Sequence, residues 1–196
     1  MWYSPPCTAW QGSANGRRPE GAGGGVEAVR ALGIDPGSRV TGWGVVENDG
    51  PSFRHVASGT LVLGSTTSLA ARLARHHAQC GALIAEWQPE AVVLERAFVA
   101  RNVQSALRLG EARGAVLAAI AAASLPVHEY TPAAVKVAAV GHGRADKTTI
   151  VRGMAARLGL TPLPREDAAD ALALAVCYLQ QAPLARAILR AQRSSA

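Results

Sequence analysis

An apolar run that stops on a carboxylate and turns at once through Pro-Gly leaves a backbone few options. Residues Ala31-Leu32-Gly33-Ile34-Asp35-Pro36-Gly37-Ser38-Arg39-Val40-Thr41-Gly42-Trp43-Gly44 have this form. Proline biases the residue before it toward extended backbone and Gly37 suits a tight reversal, so the pattern predicts strand, turn, strand. Asp35 then stands at a strand end. An unpaired carboxylate buried in a core is costly, so an acid in this place points to a metal ion or a phosphate. If a metal is held there, the rest of the chain must supply further acids.

The chain has 196 residues, of which 49% are hydrophobic, enough to bury one full core. The formal net charge of +6 allows a polyanionic partner, but it is equally the mark of an ordinary solvated surface. Only Lys136 and Lys147 among the 20 basic residues are lysines. Where arginine is the default cation, a retained lysine points to a position that wants a compact ammonium. Cys7, Cys80 and Cys177 are far apart with no Cys-x-x-Cys pair. They are expected to be small buried hydrophobes in a reducing compartment, which argues against a zinc site or a disulfide framework. No apolar run reaches the length of a membrane span and no basic-then-apolar signal opens the chain, so a cytoplasmic location is expected.

Residues 1–28 contain Pro5-Pro6 and Gly23-Gly24-Gly25 without an apolar period. They are expected to be a disordered tail, or a non-native segment upstream of a start near Val26. Residues 183–196 form a C-terminal tail in the same expectation. Between them, three β-like runs, Val29 to Asp35, Val40 to Glu47 and Phe53 to Leu63, predict an antiparallel meander. Leu69, Leu73, His76, Cys80, Leu83, Ile84 and Trp87 then recur at helical spacing. His76 and His77 are expected on the surface of that helix or partly buried, not as ligands.

Ala91 to Leu94 is fully apolar, predicting a central parallel strand, and it ends on Glu95. A helix is expected from about Asn102 to Ala123. Glycine costs about 1 kcal/mol in a helix interior, so Gly110 and Gly114 predict close packing against the sheet or a partner helix. A fifth strand, Val127 to Tyr130, precedes a short helix opened by Thr131-Pro132 and carrying Lys136. Gly141 to Lys147 is a flexible basic loop whose Asp146 can cap the next helix. The last helix opens at Arg165-Glu166-Asp167-Ala168-Ala169-Asp170. The order predicts an α/β domain with a five-stranded mixed sheet flanked by helices, of the ribonuclease H-like kind.

Asp35 and Glu95 end the first and fourth strands. They become neighbours if the meander occupies one side of the sheet, because the site of such a fold lies where the strand order reverses. Asp167 and Asp170 share one face in the first turn of their helix, where the helix dipole offsets some of their repulsion. Four clustered carboxylates need a counter-charge, and hard oxygen donors suit Mg²⁺ or Mn²⁺. Two such ions fit phosphodiester hydrolysis.

Leu32-Gly33-Ile34-Asp35-Pro36-Gly37-Ser38-Arg39-Val40-Thr41-Gly42, Leu94-Glu95-Arg96-Ala97-Phe98, Ser105-Ala106-Leu107-Arg108-Leu109-Gly110-Glu111-Ala112-Arg113-Gly114 and Asp167-Ala168-Ala169-Asp170-Ala171-Leu172-Ala173 closely resemble the RuvC family of Holliday junction resolvases. The resemblance covers residues 29–182. It implies a homodimeric endonuclease that resolves four-way junction DNA by paired symmetric nicks during recombination and repair, in cooperation with RuvA and RuvB. Carried over, the metal-binding catalytic acids are Asp35, Glu95, Asp167 and Asp170. Lys147 would stabilise phosphate charge at the cut and Lys136 would bind backbone. Phe98 matches an aromatic that can stack on a base at the crossover, with core packing as the competing reading. Arg101 and Arg144 are expected DNA contacts. An actin-like ATPase would need a second Asp-x-Gly loop in a second half, which the chain lacks. The remaining alternative is a catalytically silent junction-binding protein of the same fold; four retained acids argue against it.

Overall fold

The structure, a computed structural model, describes residues 28–49, 52–64, 68–96 and 103–194, the side chains of 49 and 183–194 excepted. The expected N-terminal tail therefore lies outside the described residues, apart from Ala28. In order the elements are β1 (Arg30–Asp35), β2 (Val40–Asp49), β3 (Ser52–Val62), α1 (Leu69–Trp87), β4 (Ala91–Glu95), α2 (Val103–Ala122), β5 (Val127–Tyr130), α3 (Pro132–Val140), α4 (Lys147–Leu158) and α5 (Glu166–Ser194).

The sheet runs β3-β2-β1-β4-β5. β1, β2 and β3 form the antiparallel meander, while β4 lies parallel to both β1 and β5. The chain thus turns from meander to crossover between β1 and β4, as the apolar character of β4 predicts. β1 shows why both faces are covered: its residues alternate between two cores. Leu32 and Ile34 join Trp43 and Val45 under α1 and α2, whereas Ala31 joins Val46 and Val93 under α3, α4 and α5. Such two-sided burial explains a strand that reads as a continuous apolar run.

The two cores are built differently. On the α1 side, large groups interlock, with the Trp43 and Trp87 rings stacked at 6.4 Å. On the α5 side, backbone meets backbone. Gly33 and Gly44 are cross-strand partners. A Cβ on Gly33 would stand 1.9 Å from the Ala171 carbonyl oxygen, and one on Gly42 would stand 1.8 Å from that of Asp167. These glycines form the bed on which α5 rests, and Ala168, Ala169, Ala171, Ala173 and Ala175 keep the helix thin enough to use it. At the opposite end of β1 from Asp35, the buried Arg30 donates to Glu47 at 2.7 Å and to the Trp87 carbonyl at 2.6 Å, so its charge is fully partnered.

Local signals set the helix ends. Thr131 accepts from the Ala134 N–H at 3.3 Å with Pro132 opening α3, and Asp146 accepts from Thr149 N–H at 2.7 Å to open α4. Gly141 and Gly159 close these helices with φ of 88° and 64°. Cys80 and Cys177 are buried and free; Cys7 lies outside the described residues. Two expectations need correction. Gly110 and Gly114 do not pack against the sheet, because a Cβ at either would meet nothing within 4 Å; α2 faces the core with Ala112, Val116, Ala119 and Ile120 instead. His76 is not at the surface but completely enclosed.

Candidate active site

The pairing of Ile34 with Leu94 brings the ends of β1 and β4 side by side. Asp35 and Glu95, the next residue of each strand, therefore project on the same face as Gly33 and Val93, toward α5. The contact of Ala171 with Gly33 and of Asp167 with Gly42 holds the first turn of α5 over those ends. Three elements distant in sequence thus deliver acids to one place.

Asp35, Glu95 and Asp170 line a cleft of about 440 Å³ together with Lys136, Asp146 and Lys147. Asp167 is not part of this lining, but its charge reaches Asp35. Burial, then the charges of Asp170, Glu95 and Asp167, push the Asp35 pKa up to about 6, against the pull of Lys147. Burial and Asp170 raise that of Glu95, opposed by Lys136, Arg113 and Lys147. Burial likewise raises that of Asp170, opposed first by Lys147. The acids are mutually repelling, and two lysines only partly offset them. Among the described residues no three acids close tightly enough to hold an ion as they stand. The donor chemistry nonetheless fits a hard divalent cation: carboxylate oxygens, no thiolate and no histidine, in a cleft short of positive charge.

Both lysines reach the cleft by different routes. Lys136 lies on the half-buried side of α3, and Lys147 is the first residue of α4, with its ammonium 3.9 Å from the equally exposed Glu166. A pair so exposed is worth little and leaves the lysine available. Arg144 is exposed in the segment before α4 and is not among the cleft residues. Phe98 and Arg101 lie outside the described residues.

Residues 31–178 match the family model described as crossover junction endodeoxyribonuclease RuvC. The chain belongs to the RuvC family. Among its relatives, the crossover junction endodeoxyribonuclease RuvC of Halorhodospira halophila is 52% identical over 167 residues, covering 84% of this chain and 99% of the relative. That of Alkalilimnicola ehrlichii is 50% identical over 162 residues, covering 83% and 98%. In three dimensions the chain is similar to Thermus thermophilus RuvC in complex with a Holliday junction substrate, with a TM-score of 0.75 and 34% identity over 80% of this chain and 96% of the other. The ribonuclease H-like mixed sheet expected from the order of elements is therefore the fold of a RuvC protein.

Two supports of this cleft are not apparent in the sequence. Arg113 donates to the Glu95 carbonyl at 2.7 Å and also pairs with Glu129, tying the end of β4 to β5. Its place in the Gly-Glu-Ala-Arg-Gly motif was visible; its target was not. On the other side of β1, the Thr41 hydroxyl accepts from the Gly37 N–H at 3.3 Å and bonds His76 Nε2 at 2.9 Å. The turn that follows Asp35 is thereby pinned from beneath the sheet. Burial lowers the His76 pKa to about 4, so its imidazole is neutral.

Proposed function

We propose that residues 29–182 form a structure-selective endonuclease that resolves Holliday junctions by paired symmetric nicks in recombination and repair. The observation that carries this reading is the single cleft in which acids from β1, β4 and α5 meet both lysines of the chain. Asp35, Glu95, Asp170 and Asp167 would hold Mg²⁺, two ions per site, with Mn²⁺ able to substitute. When bound, such ions supply positive charge at the attacked phosphate and a more acidic water. Lys147 would face the phosphate where charge builds up in the transition state. Lys136, deeper along α3, would hold the backbone.

Pairing of nicks requires two sites, and α2 supports a homodimer. Val103 and Leu107 are 74% and 62% exposed, and they share a stripe with the open Gly110 and Gly114. Among the described residues a Cβ on either glycine would meet nothing within 4 Å, and a second α2 could approach closely there. Family membership supports cooperation with RuvA and RuvB and a cytoplasmic site of action; among the described residues no helix is long and apolar enough to cross a membrane.

The test offers the protein a labelled four-way junction, a duplex and a single strand with Mg²⁺. Selective cutting of the junction is expected, lost in Asp35→Asn while junction binding persists. Equal cutting of all three, or undiminished cutting by the variant, would overturn the reading. Lys147→Ala should slow cleavage on the order of 10²-fold. Lys136→Ala should chiefly weaken binding and lower its salt dependence.

A further inference from the structure

A second cleft, of about 280 Å³, opens at the same end of the sheet on the α1 and α2 side. Arg39 enters it from the turn between β1 and β2, Arg72 from the first turn of α1, and Arg108 with Glu111 from α2, over Leu63 and Leu73. Elsewhere among the described residues Arg30 and Arg54 pair with Glu47, and Arg113 pairs with Glu129. Among the described residues none of the three guanidiniums in this cleft has an ion pair, Glu111 included. The Nε of Arg72 is shut off from solvent and has no hydrogen-bond partner. A buried donor without an acceptor is costly, and three like charges converging on one space repel. A bound anion would offset that repulsion.

The shape of the donors narrows the anion. Guanidinium forks match phosphate oxygens in pairs, and Arg72 would present its two terminal nitrogens as one such fork. Position narrows it further. Arg39 follows Asp35 by a short, turned segment that can span at most about 14 Å even if extended. At about 3.4 Å of rise per nucleotide, that is within roughly four nucleotides of the cleavage cleft. We propose that Arg39, Arg72 and Arg108 form a phosphate-binding cleft that grips the DNA backbone a few nucleotides from the cleaved bond, on the opposite side of the sheet end from the acids. This rests on the nuclease reading above and adds a second anchoring point to it. Two anchors on either side of β1 fix the direction in which a strand crosses Asp35.

The experiment measures junction affinity of the full chain with Ca²⁺ in place of Mg²⁺ across a range of salt, for the wild type, Arg72→Gln, Arg108→Gln, Arg72→Lys and Glu111→Gln. Each Arg→Gln change is expected to weaken binding about five- to tenfold and to lower the slope of log affinity against log salt by about 0.9. Affinity should fall more than the limiting single-turnover rate in Mg²⁺. Arg72→Lys should keep the slope, and Glu111→Gln should tighten binding. Unchanged affinity and slope in the Gln variants, in a protein whose wild type cuts junctions, would overturn the proposal. Failure of the wild type to cut any junction would instead overturn the nuclease reading. Conversion of the Gln variants to monomers in light scattering would assign the cleft to a protein contact. Saturable stabilisation by micromolar inorganic phosphate, lost in Arg72→Gln, would assign it to a free anion.

Discussion

The two faces of the sheet meet at β1 yet are packed by opposite means. Under α1 and α2, bulky side chains interdigitate, with Trp43 on Trp87 and Leu32, Ile34 and Leu94 fully enclosed. Such a core tolerates small adjustments, because side chains can shift against one another. Under α5, Gly33, Gly42 and Gly44 remove the side-chain layer and let the helix backbone touch the strands. That contact has little slack. It is also the face that carries the acids, so the rigid approach sets the position of Asp167 and Asp170 relative to Asp35, while the interlocked face supplies bulk stability.

The sharpest way to break this contrast is to put a methyl group into the rigid face. Gly42→Ala is expected to displace the start of α5. The expected cost is about 3 kcal/mol or more in stability and on the order of 10²-fold in junction cleavage per folded molecule, read by urea denaturation and single-turnover assay. Trp87→Ala removes an anchor of the other face and should cost about 3 to 5 kcal/mol in stability. Its cleavage rate per folded molecule should stay near wild type. Equal loss of rate in the two variants would show that both faces position the acids.

A smaller effect separates the faces by pH. His76 is enclosed on the α1 side with its pKa lowered to about 4. As pH falls below the ordinary histidine value of about 6.5, the unfolded chain takes up a proton that the buried imidazole refuses, so stability is lost toward pH 4. Between about pH 7 and about pH 5 the loss should be on the order of 2 kcal/mol by urea denaturation. His76→Leu should lack this component. The smallest expected effect is at the link between the faces. Thr41→Val removes the hydroxyl that joins His76 to the turn after Asp35, and should cost about 1 kcal/mol with a modest drop in cleavage. No change in cleavage would mean that Pro36-Gly37 holds Asp35 without help.

Much of this was legible in the sequence wherever a signal acts over a few residues. Asp35 before Pro36-Gly37, Glu95 at the end of Ala91 to Leu94, Thr131 before Pro132 and Asp146 before α4 all stand in the structure where turn and capping chemistry put them. The acids could be named from their places at element ends, and their likeness to the RuvC motifs joined them. What the sequence by itself determined is therefore the set of elements, their caps and the residues that carry charge to their ends.

Tertiary structure decided the rest. The adjacency of β1 and β4, on which the meeting of Asp35 with Glu95 depends, is a choice of strand order made by the whole sheet. Gly33 and Gly42 looked like ordinary strand residues until α5 came to rest on them, and Gly110 and Gly114 looked packed until the core side of α2 fell on Ala112 and Val116. His76 fitted a helical period that could not say how deep its face would lie. Arg39, Arg72 and Arg108 are spread over three elements and share a cleft only because β1, α1 and α2 converge at one end of the sheet. Periodicity and turn chemistry are local free energies, whereas depth, close approach and the meeting of distant charges depend on how the elements stack around two shared cores.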